Sequence, residues 1–200
     1  MNSKYSLSTV IGLVLTMYAF HCDASAVNLA LTGTATQSTT FCCDHGVDGG
    51  ASKAIDGTID GDFQHGSVSH TAGDQNAFWR VDLGNAFEIG KVTIWNRTDA
   101  AGERLTNFRV SILDPSLTPV SSQDFFVGGG SFATSLDVIF SSNTIGRLVQ
   151  IQLLGNHLEP FLQLAEVQVF QAVPLPGSLL ALGSGIGVLA MRRRKRGISN

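Results

Sequence analysis

The chain has 200 residues, 44% of them hydrophobic and 14% charged, which gives one compact domain a sizeable core and excludes disorder along the whole length. The formal charge of −3 conceals a split, because residues 27–172 carry fifteen acidic against seven basic side chains, a net −8, while five of the thirteen basic residues form one run at 192–196. An acidic central part repels a phosphate backbone, so nucleic acid is excluded as the partner.

At the amino terminus Lys4 precedes an apolar stretch over residues 9–20 and the small-residue pattern Ala24-Ser25-Ala26. This is the order of parts in a secretory signal peptide, with cleavage expected after Ala26. The apolar stretch falls short of the ~20 residues that a spanning helix needs.

Residues 27–172 then read as one domain without internal repeats. The twenty-two glycines and twelve phenylalanines of the whole chain, with few strong helix formers in its middle, favour an all-β domain rich in turns. In residues 106–113, Phe108, Val110 and Ile112 alternate with Asn107, Arg109 and Ser111; in residues 148–154, Val149, Ile151 and Leu153 alternate with Gln150 and Gln152. Period-two alternation predicts half-buried strands. Further strands are predicted at residues 78–83, 91–96, 134–140 and 165–170, separated by segments rich in Gly, Ser, Asp and Asn. The architecture these imply is an antiparallel β-sandwich of two sheets. Residues 39–77 are polar, rich in glycine and histidine, and too long for a simple connection, so function is expected there.

The carboxyl end, residues 173–200, consists of Val173-Pro174-Leu175-Pro176, an apolar stretch and the basic run Arg192-Arg193-Arg194-Lys195-Arg196. This order resembles the PEP-CTERM sorting signal, handled by exosortase-type enzymes in exported proteins of Gram-negative bacteria, although Leu175 stands where that signal usually has Glu. The apolar length from Leu175 to Met191 lies near the lower limit of ~17–25 residues for a span, and the adjacent cations would stay on the cytoplasmic side. The ends together predict export to the cell envelope or extracellular matrix, with membrane contact through the tail.

Within the domain, the pieces Asn28-Leu29-Ala30-Leu31, Ala51-Ser52-Lys53-Ala54-Ile55-Asp56-Gly57, His65-Gly66-Ser67, Phe78-Trp79-Arg80-Val81-Asp82-Leu83 and Leu164-Ala165-Glu166-Val167 stand in order. A sharper signal is His70, then 26 residues, then Arg97-Thr98-Asp99, then four residues, then Arg104. Together these resemble the F-type lectins, the fucose-binding group within the galactose-binding-like, discoidin-type fold. The resemblance implies a jelly-roll β-sandwich that binds L-fucose or fucosylated glycans without turning them over. It assigns the sugar hydrogen bonds to His70, Arg97 and Arg104, with Asp99 orienting an arginine and Glu103 sharing that task. The chemistry suits a neutral sugar: guanidinium groups donate at fixed angles, and a neutral imidazole donates at one nitrogen and accepts at the other.

The same resemblance implies a structural calcium ion. Its oxygen ligands would be the backbone carbonyls of Lys53, Thr58 and Ala165, the carboxylates of Asp56 and Glu166, and the hydroxyl and carbonyl of Ser67, a set suited to a hard cation. Family members often carry two adjacent cysteines between the positions of Asp99 and Arg104, where this chain has Ala100-Ala101. An adjacent pair occurs instead as Cys42-Cys43, and the loop from Phe41 to Cys43 is expected to fold over the site and replace some of the apolar contact. Asp56 and Asp82 could be imagined as a glycosidase pair, but no nucleophile elbow, His-rich metal motif or phosphate loop is present, so no enzyme is expected. The competing reading is a discoidin-like adhesion or matrix module for another glycan, polymer or protein. Oligomers on a surface would add avidity.

Overall fold

The computed structural model describes residues 27–44, 46–126 and 133–173. The expected signal peptide and sorting tail lie outside the described residues, apart from Val173. No helix among the described residues is long and apolar enough to cross a membrane.

The described strands are β1 (Thr34–Gln37), β2 (Cys42–Asp44), β3 (Val47–Asp48), β4 (Ser69–His70), β5 (Phe78–Asn96), β6 (Phe108–Leu113), β7 (Pro119–Phe125), β8 (Ser135–Ile139), β9 (Ile145–Leu153) and β10 (Gln163–Gln171). All the described pairings are antiparallel. The expected all-β sandwich is thus what the chain forms, with short 3-10 turns as its helical structure among the described residues.

The 19-residue strand β5 builds both layers. Its first part, from Phe78 to Asp82, lies between β1 and β9, and β6 and β7 continue that sheet. Its second part, from Lys91 to Asn96, lies between β8 and β10, with β4 on the far edge of β10. The sequence predicts two strands here, over residues 78–83 and 91–96. The chain instead continues as one strand past Gly84: a register shift between Asp82 and Phe87 and the left-handed conformation of this glycine (φ 81°) turn the corner without breaking the strand. Strands that change sheets do so at such irregularities.

Alternation decides what goes inside. Trp79, Val81 and Leu83 of β5, Val110 and Ile112 of β6, Val149, Ile151 and Leu153 of β9, and Val167 and Val169 of β10 join one buried cluster between the layers. Trp79 also donates from its indole nitrogen to the Ala51 carbonyl at 2.9 Å, anchoring the 3-10 turn Ala51–Ile55 to the core. Truncating such a fully buried ring costs about 3–5 kcal/mol. A smaller cluster of Phe63, Val68 and Ala165, flanked by Phe41, Val47 and Trp95, forms under one end of the sandwich. That end carries the candidate site.

Candidate sugar-binding site

His70 stands on β4 rather than in a loop, and it is 4% exposed rather than a surface side chain. Its backbone is clamped: its amide donates to the Gly49 carbonyl at 2.8 Å, the Phe41 amide donates to its carbonyl at 2.8 Å, and Gln37 Nε2 donates to the same carbonyl at 3.2 Å. A side chain at Gly49 would put its Cβ 2.7 Å from the Cβ of His70, so only glycine permits this approach.

Three phenylalanines enclose the imidazole. Phe41 stacks on it with ring centres 4.6 Å apart, while Phe63 and Phe161 stand edge-on at 5.3 and 5.5 Å. Nδ1 lies 2.7 Å from the Thr71 carbonyl oxygen, and Nε2 lies 2.6 Å from Nε2 of Gln163. Burial, with the positive fields of Arg97 and Arg104 added to it, pulls the His70 pKa down to about 4 against the opposing Thr71 carbonyl. The ring is therefore neutral at physiological pH, and both guanidinium groups stand close enough to act on it.

The two arginines are held alike. Arg97 lies over Phe63, its guanidinium carbon 4.9 Å from the ring centre, and donates from Nε and Nη2 to the two carboxylate oxygens of Asp99 at 2.6 and 2.8 Å. Arg104 lies over Phe161 at 4.7 Å and donates from Nε to Glu159 at 2.7 Å. Each cation thus rests on a ring that also touches His70, with a carboxylate beside it fixing its rotation. The pairing with Arg97 holds the Asp99 carboxyl below the usual range, against partial burial. Asp99 thus holds Arg97, and the carboxylate on Arg104 is that of Glu159, 55 residues further on, where the motif suggested Glu103. Glu103 lines the rim between two shallow cavities.

One cavity, about 380 Å³, lies beside Arg97 and is lined also by Thr98, Ala100, Ala101 and Glu103. The other, about 500 Å³, lies beside Arg104 and Glu159 and includes Phe126, Asn156 and Leu158. His70 lines neither, because it is buried beneath the three rings. The alanines that replace the family's cysteine pair do face open space. Cys42 is disulfide-bonded, and the loop that carries it reaches the site through Phe41.

Of the expected calcium ligands, Asp56, Thr58, Ser67 and Glu166 are linked by hydrogen bonds through the stretch 56–58. Ser67 Oγ donates to both carboxylate oxygens of Asp56 at 3.0 and 2.8 Å, and the amide of Gly57 donates to Glu166 at 3.3 Å. Asn28 donates to the other Glu166 oxygen at 3.4 Å. The bulge in β10 falls at Ala165, between Leu164 and Glu166, where a residue drops out of ladder pairing. Glu166 is fully buried, and burial first and the negative charge of Asp56 second push its pKa up to about 7. The Asp56 and Glu166 carboxylates and the Ser67 hydroxyl offer oxygens that fit a hard divalent cation, which would favour the ionised carboxylates. Asp60 and Asp62 lie outside this group: Asp62 caps the turn Phe63–His65, and Asp60 pairs with His65 at 2.7 Å.

Sequence reasoning did not single out Phe63, Phe161, Glu159, Gln163 or Thr71. Their signal lies in three-dimensional pairing, such as the Gln163 to His70 register of β10 and β4.

Comparison with known proteins agrees with the fold. Residues 53–151 match the family model of the NedA-like, galactose-binding domain of F5/F8 type C. Fucolectin-4 of Anguilla japonica is 39% identical over 150 residues, covering 74% of this chain and 82% of that protein. Fucolectin of Anguilla anguilla is 45% identical over 85 residues, so the match spans about half, 54%, of that protein and 42% of this chain. A fucose binding module of Streptococcus pneumoniae superposes with a TM-score of 0.65 at 33% identity, covering 75% of this chain and 99% of the module. These relatives are lectins and binding modules rather than enzymes, as the sequence led us to expect. The chain belongs to the fucolectin family, the F-type lectins of the galactose-binding-like fold.

Proposed function

We propose that the protein binds L-fucose or fucosylated glycans, with Arg97 and Arg104 donating to neighbouring hydroxyl oxygens on either side of His70. The observation that carries this reading is the paired arrangement of the two guanidinium groups, each over a ring that edges His70 and each turned by its own carboxylate. A fixed planar donor loses little freedom on binding, which favours recognition of a neutral polyol. Ala100 and Ala101 set two methyl groups in the otherwise polar opening beside Arg97, where the methyl group of a deoxy sugar would meet them. The names of the eel fucolectins and of the pneumococcal fucose binding module support the choice of sugar.

Calcium belongs to the same proposal. Asp56, Ser67 and Glu166, with backbone carbonyls of Lys53, Thr58 and Ala165, would hold it; the ion would supply a fixed positive charge between the carboxylates. Those residues tie the turn after Ala51–Ile55 to β10, the strand beside His70. Export, delivery to the envelope or matrix, and clustering through the tail rest on the sequence of the two ends.

A glycan array separates the readings. Fucose-selective signal that disappears in Arg97→Ala is expected, and signal on unrelated glycans that survives this substitution would favour the adhesion module.

A further inference from the structure

The lone pair of His70 is already taken. A carbonyl oxygen only accepts, so the 2.7 Å contact with Thr71 places the ring proton on Nδ1 and leaves Nε2 as an acceptor. The donor that fills it is the carboxamide of Gln163 at 2.6 Å, brought alongside by the register of β10 with β4. An aromatic nitrogen has one lone pair in the ring plane and takes one strong donor. A ligand hydroxyl cannot donate to Nε2 while the Gln163 amide does.

The other half of the carboxamide has no such partner. Gln163 is 2% exposed, and its Oε1 is buried without a hydrogen bond among the described residues. A buried acceptor left bare is unfavourable, so the bond that Gln163 makes at one end is offset by what it lacks at the other. The side chain is held, but weakly.

We infer that Gln163 occupies the sugar-hydroxyl position on His70 while the site is empty and turns away when a ligand arrives, so that it sets the affinity of the site. This rests on the fucose reading above. In the exchange, the hydroxyl donates a hydrogen bond to Nε2 of His70 while its oxygen accepts one from an arginine N–H. Oε1 of Gln163, once turned, is free to accept from a neighbouring hydroxyl or from water. The group recognised at His70 is accordingly one that donates and accepts together, which a hydroxyl does and an ether oxygen does not.

Calorimetric titration of the wild type, Gln163→Ala, Gln163→Leu and Arg97→Ala with L-fucose tests the inference. The wild type should bind, Arg97→Ala should not, and removal of the carboxamide should tighten binding about fivefold, the net worth of one hydrogen bond. Wild-type binding that is lost in Arg97→Ala but equal or weaker in folded Gln163 variants overturns this inference alone. Absence of wild-type binding overturns the fucose reading and this inference with it. Should the variants fail to fold, NMR of the wild type decides: the Gln163 side-chain amide signals should move at saturating fucose while His70 keeps its proton on Nδ1. Unmoved amide signals overturn the inference.

Discussion

Arg104 lies over the ring of Phe161, 4.7 Å from its centre, and that ring stands edge-on to His70 at 5.5 Å. Phe161 thus supports the cation on one face and the imidazole at its edge. Replacing it by leucine keeps apolar bulk and removes the ring face. A cation over a ring is worth about 0.5–2 kcal/mol. Phe161→Leu should therefore weaken fucose binding about two- to thirtyfold in calorimetry while the melting temperature stays within a few degrees.

The two glutamates near Arg104 should behave differently. Glu159 accepts from Arg104 Nε, and its side chain is 58% exposed, so the pair is partly screened by solvent. Glu159→Gln is expected to weaken fucose binding about two- to fivefold through looser orientation of the guanidinium, an effect of about 0.5–1 kcal/mol. Glu103→Gln should leave affinity within about twofold. Equal losses would place Glu103 in the role that the geometry gives to Glu159.

The pH response follows from the neutral imidazole. The folded pKa of His70, about 4, lies below the ordinary value of 6.5, so the folded state holds fewer protons than the unfolded state between them. Stability from this group is complete above pH 6.5 and is lost as pH falls through 6.5 toward 4, by an amount on the order of 3 kcal/mol. Across pH 6–8 fucose affinity should be flat, since His70 stays neutral there. NMR titration of the His70 ring protons checks this; a midpoint near 6.5 would show that the enclosure by Phe41, Phe63 and Phe161 does not persist in solution.

Calcium should stabilise the fold. At one hundred times its dissociation constant, a ligand specific to the folded state adds about 2.7 kcal/mol, which raises the melting temperature of a domain of this size by about 5–10 °C. Thermal melts with calcium and with a chelator should differ by that amount in the wild type. Glu166→Gln should abolish the difference. A calcium shift that survives Glu166→Gln would move the ion elsewhere.

The strands readable in advance carry apolar side chains at every second position. In β6 and β9, Phe108, Val110, Ile112, Ile151 and Leu153 face the core at that period, although Ser111 of β6 is buried on the other face as well. β7 escaped notice because it starts at Pro119, lies at a sheet edge and buries little, so Ser121, Ser122, Gln123 and Asp124 carry no apolar period. The union of two predicted strands into β5 was hidden by Gly84 and Asn85, which read locally as a turn but serve as a bend between sheets. In the site, Arg97 and Asp99 were legible because they are two residues apart and belong to a spaced motif. The Glu159 to Arg104 and Gln163 to His70 contacts span 55 and 93 residues. No local pattern encodes such distant partners; the sandwich brings them together. His70 was expected as an accessible hydrogen-bonding group, whereas packing under three rings and a cross-strand glutamine engages both of its nitrogens.

The central claim is that Arg97 and Arg104 form one sugar site around His70. Calorimetric titration with L-fucose of the wild type, Arg97→Ala and Arg104→Ala tests it directly. Charge-assisted hydrogen bonds are worth about 1.5–3 kcal/mol each, so either substitution should cut affinity at least tenfold with the fold intact. Undiminished fucose binding in both folded variants would contradict the account.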